Sequence, residues 1–150
     1  MKAFRFPLDQ ALRWRGTQVE MGKASVSAAG ARLRAIQQAI ESRRNETRNG
    51  ALHLTQGATG SVFESWSAYA SRSRREIAEL EKQRTSAEQS LALEMHALVE
   101  ANRRQHLLEN LKHRHHAGWL QEYSKELEAF ASESFVGRLQ SIKRARSSGG

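Results

Sequence analysis

The amino-acid sequence predicts an all-α fold, a long antiparallel two-helix coiled coil folded as a helical hairpin. Three observations predict it. Pro7 is the one proline of the 150 residues, so nothing beyond it forbids a helix. Large apolar residues recur with a spacing of about 3.5, and strand-like alternation is absent. Turn-forming residues are dense in one place, between Asn49 and Ser61.

Helix one is expected over about 8–48. Steps of four and three from Leu8 reach Leu12, Arg15, Val19, Gly22, Val26, Ala29, Leu33, Ile36, Ile40, Arg43 and Thr47. Seven of these 12 positions are large and apolar, against only Trp14 and Met21 in the rest of the segment. Such a period keeps one stripe facing a partner helix. Gly16, Gly22 and Gly30 each cost about 1 kcal/mol relative to alanine in a helix. Arg15, Gly22 and Arg43 occupy seam positions where leucine is expected to pack better. The hairpin is therefore expected to be marginal without a partner.

The turn is placed at about 49–61 and helix two at about 62–146. The same stepping from Phe63 passes Trp66, Ala70, Ser73, Ile77, Leu80, Arg84, Ala87, Leu91, Glu94, Leu98, Ala101, Gln105 and Leu108. The apolar stripe then moves to Leu120, Tyr123, Leu127 and Phe130, which places a register slip near Gly118. Long helices joined by one short loop pack antiparallel. A turn centred near residue 55 sets Leu8 opposite Asn102 and Phe4 opposite His106. On this register the chain beyond about residue 107 is an unpaired C-terminal extension of a single coiled-coil unit, residues 1–150. An exposed apolar stripe of that length marks an interaction surface.

Composition removes several classes of function. There is no cysteine, which excludes disulfides, cysteine zinc sites and thiol catalysis. No apolar run approaches the roughly 20 residues that span a bilayer. The opening MKAFRFPLDQ lacks the apolar stretch of a secretory signal, so a soluble, intracellular protein is expected. The phosphate-cradling pattern G-x-x-x-x-G-K-[ST] is missing, and no Ser, His and acid grouping stands out. A two-helix coiled coil also lacks a pocket that excludes water. Neither catalysis nor a cofactor is expected. His113 and His116, in Lys112-His113-Arg114-His115-His116, share a helical face. Their neighbours are basic and Glu109 is the one adjacent carboxylate, so the run reads as a solvated basic patch and no metal is expected.

The 24 Lys+Arg against 16 Asp+Glu leave a net charge of +8. Residues 1–23 carry +3 and residues 138–150 carry +4, so the positive charge gathers towards the termini. Such a field steers a chain towards an acidic surface or nucleic acid. Arg72-Ser73-Arg74-Arg75 is the nearest approach to a basic zipper region, but Leu80 continues in sevens to Ala87, Glu94 and Ala101, which is no zipper. Specific nucleic-acid recognition is not expected. Non-specific nucleic-acid binding and a general coiled-coil adaptor stay open as alternatives. Phe63, Trp66 and Tyr69, spaced by three, form a stripe at the turn end of helix two. They either pack on Leu52 and Leu54 or offer an aromatic docking patch.

Two stretches carry a resemblance to a known family. One is Phe4-Arg5-Phe6-Pro7-Leu8-Asp9-Gln10-Ala11-Leu12-Arg13-Trp14-Arg15, similar to an F-x-F-x-L-x-x-x-L-x-x-R start. The other is Leu108-Glu109-Asn110-Leu111-Lys112-His113-Arg114, similar to L-E-x-L-K/R-x-R, followed by an aromatic (Trp119 or Tyr123) and Glu126. With these the chain resembles the FliJ family of flagellar export proteins, the stalk proteins of type III secretion ATPases, over nearly its whole length. Where that family commonly has Leu-Asp-Glu after the late Glu, this chain has Phe130-Ala131-Ser132.

The resemblance implies a cytoplasmic stalk, peripherally associated with the inner-membrane export apparatus. Its partners would be the flagellar export ATPase hexamer, whose assembly and activity it promotes, and the membrane export gate protein, with export chaperones as a further class. Arg13, Arg15 and Gln18 on helix one, with Leu108, Leu111, Lys112 and Arg114 on helix two, are the residues expected to bind the ATPase. Phe63, Trp66 and Tyr69 are those expected at the gate.

Overall fold

The structure is a computed structural model that describes residues 2–57 and 59–149; Ala58, inside the expected turn, lies outside the described residues. The described residues form two helices and no strand. Helix α1 runs Asp9–Leu54 and helix α2 runs Gly60–Ser147, and they pack against each other as a helical hairpin. The expected start of α1 and both ends of α2 fall within two residues of those observed.

The turn is shorter than expected. Residues 49–54 belong to α1 although they include Asn49-Gly50. Gly50 is helical and the Trp66 indole lies against its backbone: a Cβ there would stand 2.9 Å from Trp66 Nε1. The helix ends instead at Thr55, whose hydroxyl donates to the Leu52 carbonyl (2.7 Å), and at Gly57, which takes φ of +111°. That left-handed value is open to glycine at no steric cost. Thr59 then precedes α2, its carbonyl accepting from the Phe63 N–H at 3.1 Å. Helix α2 is unbroken through both Gly118 and Gly137, so the move of the apolar stripe near Gly118 is not accompanied by a break in the helix.

The chain divides into two compact units, one made of Gly16–Arg103 and the other of the residues up to Arg15 with those from Arg104 onward. Within the first, facing residue numbers sum to 120, as in Gly22 with Leu98 and Thr47 with Ser73. These pairings correct the expected sum of about 110; the turn itself, between Leu54 and Gly60, is centred near residue 57 rather than 55. Val19, Ile40, Ala70, Ser73 and Ala87 form the buried line of this seam. Small residues on the α2 side let the backbones approach. Gly22 illustrates this and corrects the expectation that leucine would serve there, since a Cβ would already meet Leu98 Cδ1 at 3.1 Å. Arg43 on the seam also has a purpose, bonding Glu76 across the seam at 3.0 Å and Glu46 along its own helix at 3.5 Å.

Ser73 is 2% exposed and its hydroxyl lies 2.8 Å from Thr47 Oγ1. Thr47 already donates its one hydroxyl hydrogen to the Arg43 carbonyl at 2.9 Å. Ser73 must therefore be the donor and Thr47 the acceptor, which satisfies the buried hydroxyl fully enough to sit in an apolar seam.

Candidate interaction surface

In the second unit the N-terminal segment up to Leu8 is not helical. It lies along α2 and is held at several points. Lys112 Nζ donates to Asp9 Oδ1 at 3.0 Å, and the Trp119 indole donates to the Lys2 carbonyl at 3.2 Å. Phe6, 7% exposed, meets His115 edge-on at 5.7 Å between ring centroids, and Phe4 meets His116 edge-on at 4.9 Å. The rings continue by stacking, His116 on Trp119 at 5.9 Å and Trp119 on Tyr123 at 5.4 Å. A groove of about 890 Å³ runs beside this ladder, lined by Lys2, Phe4, Arg5, His115, Trp119 and Glu122.

The expected unpaired extension therefore begins later than residue 107. Leu108, Leu111, Lys112 and Trp119 are half-buried, whereas every residue from Leu120 to Gly149 is exposed. The expectation failed because it rested on a facing sum of about 110, whereas Phe4 with His116 and Asp9 with Lys112 sum to 120 and 121. His115 and His116 are exposed, as a solvated basic patch requires, and also serve as ring partners of Phe6 and Phe4, which charge patterning does not show.

The residues expected to bind an ATPase separate into two kinds. Arg13 and Arg114 are exposed, Arg13 with an ion pair to Asp9 at 3.2 Å. Arg15 is half-buried, its guanidinium 4.7 Å from the centroid of the Trp14 ring, a cation–π distance. Leu108, Leu111 and Lys112 are half-buried, Lys112 being committed to Asp9. Gln18 belongs to the Gly16–Arg103 unit and is half-buried there. Asp9 carries a lowered carboxyl pKa, first because it accepts the Lys112 hydrogen bond and then because of the charges of Lys112 and Arg13, against a partial opposing desolvation.

The aromatic set near the turn does not form one open patch. Phe63 is exposed, Trp66 is half-buried against Gly50, and the Tyr69 hydroxyl donates to Glu46 Oε2 at 3.3 Å. Phe63 and Trp66 remain neighbours, with centroids 6.5 Å apart. Leu54 and Val62 join Trp66 around a cleft of about 290 Å³, while Leu52 points outward and is exposed. The Trp66 indole N–H is buried and has no hydrogen-bond acceptor.

Among the described residues no group of three or more His, Asp or Glu is arranged to hold a metal ion. Among the described residues no helix is long and apolar enough to cross a membrane. No family model, curated protein or solved structure matches this chain.

Proposed function

We propose that this protein is a stalk component of the flagellar type III export apparatus. In this reading it is cytoplasmic and peripheral to the inner membrane, binds the export ATPase ring, promotes its assembly and activity, and links it to the membrane export gate. One observation supports the reading above the others. The two stretches that carry the family resemblance, far apart in sequence, meet through Asp9 with Lys112, and Phe6 and Phe4 of the first reach His115 and His116 immediately beyond the second. Residues that form one structural unit can act as one binding surface, with exposed Arg13 and Arg114 supplying the charge at its edge. A helical hairpin with exposed apolar residues beyond its paired part also suits a component completed by other subunits.

The decisive experiment is ATP hydrolysis by the export ATPase of the same organism, with and without this protein, at physiological salt. Stimulation is the expected result. Absence of stimulation by a protein shown to be helical overturns the stalk reading and leaves the general adaptor.

A further inference from the structure

The C-terminal part of α2 has chemistry of its own. From Leu120 to Ser147 the helix continues with every residue exposed. An isolated helix in water is marginal, and most helices are held by packing of an apolar face. Such a face is present. At 100° per residue, Leu120, Tyr123, Leu127, Phe130, Phe135, Leu139 and Ile142 fall within about half of the circumference, and Phe130 and Phe135 are 70% and 63% exposed.

Charge along this segment is segregated. Residues 120–133 hold Glu122, Glu126, Glu128 and Glu133 against Lys125, a net of −3, whereas residues 134–147 hold Arg138, Lys143, Arg144 and Arg146 with no acid, a net of +4. Besides Arg146 at its C-terminal end, the apolar half-circumference is interrupted by two charges, Glu128 and Arg138, one from each block. These two residues decide which occupant and which direction fit. In a parallel pair of copies Glu128 faces Glu128 and Arg138 faces Arg138, and like charges brought together in an apolar contact are strongly unfavourable. In an antiparallel pair centred near Glu133, Glu128 of one copy faces Arg138 of the other, twice. The same alignment sets Leu127 against Leu139 and Phe135 against Ala131.

We propose that residues 120–147 are a self-association surface, on which a second copy of this chain binds antiparallel, through the apolar face and the reciprocal Glu128–Arg138 contacts. The surface is complementary to itself under a two-fold axis, as an isologous dimer requires. It is independent of the stalk reading, because the dimer forms without any other protein.

The test is sedimentation equilibrium of the full chain alone across a range of concentrations, with circular dichroism to follow the helices. The expected result is a reversible transition from 16.9 kDa to twice that mass. Glu128→Arg and Arg138→Glu, each alone, should weaken the dimer by about tenfold, since each alters two symmetric charge pairs. The double variant Glu128→Arg/Arg138→Glu should restore it. Leu127→Ser with Phe130→Ser should abolish it while the paired part of the hairpin stays helical. A monomer at every concentration overturns the proposal, as does a dimer indifferent to Leu127 and Phe130. Failure of the double swap to rescue overturns the antiparallel alignment. If the segment is instead protected only when another protein is added, its occupant is not a second copy and the proposal falls.

Discussion

Lys112 Nζ bonds the Asp9 carboxylate at 3.0 Å across 103 residues of sequence, joining the first turn of α1 to α2. The same carboxylate also receives Arg13 at 3.2 Å. Three effects converge on Asp9: a lysine across the seam, an arginine one turn on, and the positive N-terminal end of its own helix, where a carboxylate is favoured.

The first prediction concerns pH. The pKa of Asp9 is lower in the folded chain than its ordinary value of 3.8, so its contribution to stability is fully present above that value. It is lost as pH falls through the lowered folded value. Thermal unfolding of the wild type should therefore lose, below pH 3.8, an increment that Asp9→Asn lacks at every pH. If the two proteins show parallel pH profiles, Asp9 is not coupled to folding.

Glycine substitutions should divide by what a new methyl group meets. Gly118→Ala and Gly137→Ala meet nothing within 4 Å and should each stabilise the helix by about 1 kcal/mol. Gly50→Ala presses on the indole of Trp66 at 2.9 Å, and overpacking costs about 1–3 kcal/mol, which outweighs the helical gain. Denaturant midpoints of the three variants check the order. An equal gain at all three positions would mean that Trp66 is free to move.

Ser73→Ala should destabilise by about 1 kcal/mol, because Thr47 loses its donor but keeps its own bond to the Arg43 carbonyl. Ser73→Leu should cost more, as no side chain in the seam is as enclosed. Urea denaturation of both variants reads the difference; a stabilised Ser73→Leu would refute the close approach of the helices at this layer.

Substitutions in the ATPase-binding set should separate surface from scaffold. Arg114→Ala removes an exposed side chain, so it should change stability by no more than about 0.5 kcal/mol while reducing stimulation of the ATPase. Leu108→Ala and Leu111→Ala, at half-buried positions, should reduce stability as well as binding. Measuring unfolding and ATPase stimulation on the same preparations distinguishes them. Stimulation unaffected by Arg114→Ala would remove that residue from the surface.

Phe6→Ala should release the N-terminal segment from α2, at a cost of about 3 kcal/mol for a buried aromatic. The observable is faster proteolysis ahead of Asp9 with α1 and α2 intact. Unchanged proteolysis would show that the Lys2 and Asp9 contacts hold the segment without the ring.

The stripe from Leu12 to Thr47 was legible because the helical period is a local property of the chain. Every one of its positions is half-buried or buried, as the spacing requires. The all-helical hairpin followed from that period, from the lone Pro7 and from a single cluster of turn residues. Partner identity was not legible in the same way. Asn49-Gly50 reads locally as a turn, yet Gly50 is helical with Trp66, 16 residues on, packed against it. Which residues face each other depends on contacts such as this between residues distant in sequence. That Phe4 meets His116, and that every residue from Leu120 onward to Gly149 is exposed, are likewise visible only in the structure. The sequence by itself determined which residues lie on the seam, since periodicity is written residue by residue; the tertiary structure alone decided their partners, since register depends on how side chains distant in sequence fit together.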